Sequence, residues 1–160
     1  MKRKIEQPNT IIKAKEYVYR LLNFRLRSQK EIEDKLTLKH FSTALITETI
    51  EYFKQHDLIN DREFAKKWIF FRQSKLYGKN RIRFELKQKG IKDDIIEEEL
   101  SEGFADSSEE EFVCQLVKKQ YGKYQNIDPQ KRIKRLYDYL RRRGYHHPVI
   151  MKVLNRYDER

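Results

Sequence analysis

Apolar residues along the chain recur at spacings of three, four and seven, the period of a helix with one buried face and not the alternation of a strand. The same apolar frame returns three times. Taking Leu36, Leu86 and Leu140 as markers, an aliphatic residue lies four positions earlier (Ile32, Ile82, Leu136) and a bulky one five positions later (Phe41, Ile91, Tyr145). Pairs follow nine and ten positions on (Leu45-Ile46, Ile95-Ile96, Val149-Ile150), and another aliphatic at fourteen (Ile50, Leu100, Leu154). Each frame is preceded by Glu16-Tyr17-Val18, Glu63-Phe64-Ala65 or Glu111-Phe112-Val113, with Leu21, Trp68 or Leu116 four residues beyond the aromatic. The markers stand 50 and 54 residues apart, so the chain is a threefold internal repeat.

The punctuation agrees with this period. Gly90 and Gly144 stand four residues after their markers, where a left-handed residue closes a helix, and His40 holds that place less well in the first copy. A third helix is predicted to begin near Thr43, Asp93 and His147, with Pro148 at a tolerated first-turn position. Ser28 with Glu31, Asn60 with Glu63, and Ser108 with Glu111 have capping-box or related spacing, and Asp128-Pro129 marks one more start. The expected fold is all-α: three tandem three-helix repeats over 14–59, 60–106 and 107–160, after an N-terminal extension over 1–13, flexible at its start. Linkers are short and poor in Gly and Ser, and each trio is too small to stand alone, so stacking is expected to give an elongated, curved array. The distance from aromatic to marker grows from 19 to 22 to 28 residues, which puts the variable loop between first and second helices on the surface.

Composition narrows this further. Only 38% of the 160 residues are apolar, and 5 Gly with 3 Pro are too few for a sandwich or barrel. The longest apolar run is Trp68-Ile69-Phe70-Phe71, far short of a membrane span, and the basic start Met1-Lys2-Arg3-Lys4 lacks the apolar stretch of a secretory signal. The single cysteine, Cys114, excludes an internal disulfide, and a reducing cytoplasm is the expected compartment. Net charge is +11, which points to a polyanionic partner, most often nucleic acid. The charge comes in blocks: ten basic residues and one acid over Lys66–Lys92, ten acids and no base over Asp93–Glu111, eleven bases against four acids from Tyr121 onward.

No catalytic site is legible, and neither a cofactor nor a metal is expected. His146-His147 lacks partners at ligand spacing, Cys114 sits on an apolar stripe as a small hydrophobe, and no phosphate-cradling Gly-rich loop is present. Glu97-Glu98-Glu99 is read as a solvent face beside Ile95, Ile96 and Leu100, and Phe64, Trp68 and Phe71 as the inner face of their helix. Binding has more support. Lys75, Lys79, Arg83 and Lys87 recur every four residues, and with Arg72, Arg81 and Lys89 form a candidate phosphate-binding patch. Alternatively that stripe complements the acidic block after Lys92. Lys131, Arg132, Lys134, Arg135, Arg141, Arg142 and Arg143 form a second candidate patch. Lys39, Lys89 and Arg143 share one repeat position in a last helical turn, where the helix dipole alone favours a cation. Tyr121, Tyr124, Tyr137 and Tyr139 lie among the bases either as stacking platforms for single strands or, more simply, as packing between helices.

Asn60-Asp61-Arg62-Glu63-Phe64-Ala65, then Arg72, Tyr77-Gly78, Arg81-Ile82, Glu85-Leu86 and Lys89-Gly90-Ile91 resemble the central signature of the RecX family of bacterial recombination regulators. The resemblance extends over the repeats from Ala14 to Tyr157. Two positions depart from it: Lys79, where proline often follows the glycine, and Leu76, where a second glycine is frequent. What the resemblance implies is a non-enzymatic protein that binds the RecA recombinase filament on single-stranded DNA and restrains its ATPase and strand exchange, in repair and recombination under the SOS response; a cytoplasmic monomer is expected. Double-stranded DNA is a second expected ligand. An independent helical DNA- or RNA-binding protein, such as a transcription regulator, is the alternative reading.

Overall fold

A computed structural model describes residues 10–105, 108–124 and 126–158. The basic start at Met1–Lys4 and most of the expected N-terminal extension lie outside the described residues. Among those described the chain forms nine α-helices, one 3-10 turn and no strand. The helices are α1 (Ile11–Phe24), α2 (Gln29–Leu38), α3 (Thr43–Gln55), α4 (Asp61–Gln73), α5 (Lys79–Gln88), α6 (Asp93–Gly103), α7 (Glu109–Tyr121), α8 (Pro129–Arg142) and α9 (His147–Asp158), with the 3-10 turn at Gly122–Tyr124. No helix among the described residues is long and apolar enough to cross a membrane.

The local chemistry explains where the helices begin. Ser28 and Glu31 form a reciprocal capping box at α2, Ser108 accepts from Glu111 N at α7, and Asp128 accepts from Lys131 N at α8. Asn60 Oδ1 accepts from the N–H groups of Arg62 and Glu63 at 3.0 and 3.1 Å, capping α4. The third helices begin at Thr43, Asp93 and His147 as expected, and the cap positions of the first two lie one residue earlier. Ser42, not Thr43, caps α3, and Lys92 occupies the cap position of α6 without a side-chain bond, leaving Asp93 in the first turn. There its charge still complements the helix dipole.

The stops follow the repeat closely. His40, Gly90 and Gly144 take φ values of 61°, 78° and 93°, so the first copy closes α2 in the same left-handed geometry as the two glycines. Histidine is strained there. His40→Gly is expected to raise the stability of this part of the chain by roughly 0.5–1 kcal/mol in denaturant titration; a loss of stability would show that the imidazole contributes more than its backbone costs.

Packing divides the chain into two compact units: one from the start of the described residues to Phe64 together with Lys89–Ile91, the other Ala65–Gln88 together with Lys92 onward. In the first, Ala14, Val18, Ile32, Leu36, Ile46, Ile50, Phe53 and Ile59 form the core on which α1, α2 and α3 pack. In the second, α7, α8 and α9 enclose Val113, Leu116, Val117, Leu136, Leu140, Tyr145, Ile150, Val153 and Leu154. Ile82, Leu86, Ile96 and Leu100 are likewise buried along α5 and α6. Every marker of the repeat frame is fully buried, which is why the frame was visible in the sequence.

The same junction is built once inside each unit. In the first, the turn after α5 meets the start of α2: Ser28 Oγ donates to the Lys89 carbonyl at 2.7 Å, and Gln29 N donates to Asp61 Oδ1 at 2.8 Å. In the second, the turn after α8 meets the start of α5: Gly78 N donates to the Arg143 carbonyl at 2.9 Å, and Lys79 N donates to Glu109 Oε1 at 3.1 Å. Residues 28 and 78, 29 and 79, 61 and 109, and 89 and 143 hold equivalent places in the repeat. The two departures from the family signature become intelligible here. A proline at Lys79 would lack the N–H given to Glu109. Leu76 has φ 55°, a conformation easier for glycine, but its side chain joins the third-repeat core and its carbonyl accepts from Tyr145 Oη at 2.9 Å.

Glu31 ties the first junction electrostatically. Burial by itself would push its carboxyl up, but hydrogen bonds from Arg25 (2.9 and 3.0 Å) and Lys89 (2.8 Å) hold it down at about 2. Its pKa is depressed in the folded state, so its contribution is complete above the ordinary 4.5 and is lost as pH falls toward about 2. Acid titration of stability should therefore fall more steeply across that window in the native protein than in Glu31→Gln. Parallel profiles for the two would contradict the assignment.

Candidate nucleic-acid interface

The fourteen cations read from the sequence as binding residues separate into two classes once partners are visible. In the middle repeat most are committed to acids of this chain. Arg72 Nε and Arg81 Nε donate to the two oxygens of Glu85 at 2.7 and 2.9 Å, and Trp68 Nε1 adds a third bond at 3.1 Å. Glu85 is only 7% exposed, so these donors satisfy a carboxylate that burial would otherwise penalise. Arg83 grips Glu97 with both Nε and Nη2 at 2.6 and 2.9 Å, and this contact lowers the Glu97 carboxyl below its ordinary range. Lys87 meets Asp93 at 2.9 Å, and Lys89 meets Glu31. Lys79 Nζ lies over the Phe104 ring and Lys75 Nζ over Phe71.

The acidic block is thus largely consumed inside the second unit, as one of the two alternatives anticipated. Glu99 and Glu102 take Lys66, and Glu110 takes Lys152 and Arg156. Asp106, in the same block, lies outside the described residues. One expectation fails here. Glu99 is not on a solvent face: at 2% exposure it turns inward with Ile96 and Leu100, one helical turn from each other.

The third repeat differs. Two of its cations are structural. Arg132 donates to the Tyr124 and Ile127 carbonyls, each at 3.1 Å, and to Tyr121 Oη at 2.8 Å, fastening the start of α8. Arg143 donates to the Lys75 carbonyl at 2.6 Å and stacks on Tyr77 and Tyr139. The remaining five, Lys131, Lys134, Arg135, Arg141 and Arg142, are exposed, and among the described residues none of them forms an ion pair. Helical geometry explains why they share a side. Leu136 and Leu140 are fully buried, so Lys131, Arg135, Asp138 and Arg142, at steps of four, three and four, run along the opposite face with Lys134 and Arg141 beside them. Five cations and one acid over about 16 Å make a surface suited to successive phosphates. Arg135 lies 5.9 Å from the Tyr124 ring and Arg141 reaches the Tyr145 carbonyl at 3.5 Å, contacts weak enough to leave both guanidinium groups available.

The tyrosines among these bases are mainly packing. Tyr121, Tyr124, Tyr137 and Tyr139 are half-buried against the third-repeat core, as is Cys114, and Tyr137 Oη contacts His147 Nδ1 at 2.9 Å. Among the described residues no three His, Cys, Asp or Glu side chains converge on a metal position. Phe71 corrects the sequence reading in the other direction. Expected inside, it is 49% exposed, because the buried stripe of α4 passes through Phe64, Ala65 and Ile69 and not through Trp68 and Phe71.

Known proteins resemble this arrangement throughout. Three family models match in order: the RecX first three-helix domain over residues 14–53, the second over 60–100 and the third over 109–154. A regulatory protein RecX of Clostridium botulinum (strain Alaska E43 / Type E3) is 32% identical over 148 residues, covering 91% of this chain and 69% of that protein. One from Chlorobium phaeobacteroides (strain BS1) is 39% identical over 144 residues, covering 89% and 92%. The crystal structure of RecX from Lactobacillus salivarius superimposes with a TM-score of 0.80 at 26% identity, over 94% of this chain and 97% of that one. A second crystal structure of a regulatory protein RecX has the same fold at 22% identity, with a TM-score of 0.80 over 91% and 71% of the two chains.

Proposed function

The chain belongs to the RecX family of regulatory proteins, and on that premise we propose that it restrains the RecA recombinase by binding its filament on single-stranded DNA. The observation that carries this reading is the outer face of α8, where five exposed cations surround a single acid, Asp138, and form no ion pair among the described residues. A surface of that kind stays solvated until a polyanion displaces its counterions, and the salt released drives association. The action is binding and not chemistry: contact with filament and phosphate together slows ATP hydrolysis and strand exchange in repair and recombination, with electrostatics setting encounter and the packed helices setting geometry. No cofactor enters this account, and a single cytoplasmic copy suffices.

The test is ATP hydrolysis by RecA on single-stranded DNA. Adding this protein at less than one copy per recombinase subunit is expected to slow hydrolysis at low salt. Unaltered hydrolysis would contradict the reading, and a sequence-specific footprint on duplex DNA without recombinase would favour the independent DNA-binding alternative.

A further inference from the structure

Inside the second unit, the last turn of α4, the segment that follows it, α7 and the end of α8 line an open cavity of about 470 Å3. Arg72, Lys75, Lys119 and Arg143 line it, and no acid is among its lining residues. Phe71, Tyr77 and Tyr139 supply aromatic surface. Two of the cations are fixed: Arg72 by Glu85, and Arg143 by the Lys75 carbonyl, with both guanidinium groups near the Tyr77 ring at 5.1 and 4.8 Å. The other two are exposed, and Lys119 forms no ion pair among the described residues. Phe71 is 49% exposed beside Lys75, so its ring is open to a planar ligand at the edge of the cavity.

We propose that this cavity takes one nucleotide of a single-stranded nucleic acid, its base stacked on Phe71 and its phosphate held by Lys75 and Lys119. The volume suits one base with its sugar and phosphate. A ligand must be anionic to match Lys75, Lys119 and Arg143, which meet no acid in the cavity, and must also carry a planar face to use the exposed ring. Duplex bases are already stacked on each other, and an acidic peptide supplies charge without the plane, so a single strand satisfies both requirements where they do not. The proposal deepens the reading of a phosphate-bearing target, but it involves no recombinase, so its test fails or succeeds separately from the ATPase assay.

Trp68, the one tryptophan, reports on the site: its ring lies 6.5 Å from Phe71 and beneath Arg72 at 4.8 Å. Titration of the full chain with a short oligothymidylate is expected to change Trp68 fluorescence. Phe71→Ala should bind about ten-fold more weakly and Phe71→Tyr as well as the native protein, whereas an abasic strand of equal charge should bind all three alike. Equal affinity of Phe71→Ala and native protein for oligothymidylate would overturn the proposal. So would an oligoglutamate peptide that Phe71→Ala weakens as much as it weakens DNA. Should Phe71→Ala lose its helical signal, Lys75→Gln with Lys119→Gln takes its place: the salt dependence of oligothymidylate binding should flatten by about 1.4 in log–log slope, and an unchanged slope overturns the assignment.

Discussion

Gly144→Ala is expected to lower stability by about 3 kcal/mol or more. Two independent costs meet at this position. Its φ of 93° is a conformation that disfavours any side chain. A Cβ there would also stand 2.3 Å from the Arg81 backbone nitrogen and 2.4 Å from Arg81 Cβ, atoms of a helix start with no freedom to retreat. Relief requires the turn after α8 to lift from α5, breaking the bonds from Asn80 N to the Gly144 carbonyl at 3.1 Å and from Gly78 N to the Arg143 carbonyl. Gly122→Ala is the control, because Gly122 is right-handed with nothing near the added carbon, and it should be neutral or mildly stabilising. Denaturant titration followed by circular dichroism, with hydrogen exchange across α8 and α9, separates the two. Similar midpoints for both variants would mean that the turn is not seated on α5 as described.

Arg135→Glu with Arg142→Glu is expected to weaken binding to single-stranded DNA and to recombinase filaments at least ten-fold near 0.1 M salt, and to flatten the salt dependence by about 1.4 in log–log slope. Both residues are exposed on the outer face of α8, and neither pairs with an acid among the described residues, so the fold should survive their reversal. The informative comparison is Arg83→Gln with Lys87→Gln. These two cations look equally suited to phosphate in the sequence, but Glu97 and Asp93 already hold them, and their loss should change binding less than two-fold. Equal losses for the two double variants would show that α5 and α8 contribute alike, and the distinction drawn between them would fall.

These two pairs show what the sequence carries and what it leaves out. The threefold frame was legible because burial is periodic: Leu36, Leu86 and Leu140 each sit at the centre of a face, and Gly90 and Gly144 mark the turns. His40 in the same left-handed turn was legible only through the repeat, since histidine alone carries no such signal. The cationic residues were also locatable. Their availability was not, because Arg83 and Glu97 are fourteen residues apart on separate helices, and pairing at that distance depends on how α5 and α6 meet. Arg132 illustrates the same limit, since it bonds to Tyr121 at the end of α7 and to the Tyr124 and Ile127 carbonyls, groups that only the folded chain brings to the start of α8. Glu99 and Phe71 were misplaced for a simpler reason. A one-position rotation of a helix moves a residue from face to flank, and apolar spacing fixes that rotation only to within about one residue.

Whether the outer face of α8 meets a filament's phosphates is tested most directly by one titration. ATP hydrolysis by RecA on single-stranded DNA is followed as the native protein or Arg135→Glu with Arg142→Glu is added, at two salt concentrations. The native protein is expected to slow hydrolysis at low salt and the variant is not, with the gap closing as salt rises. A variant that slows hydrolysis as well as the native protein at both concentrations would contradict that contact.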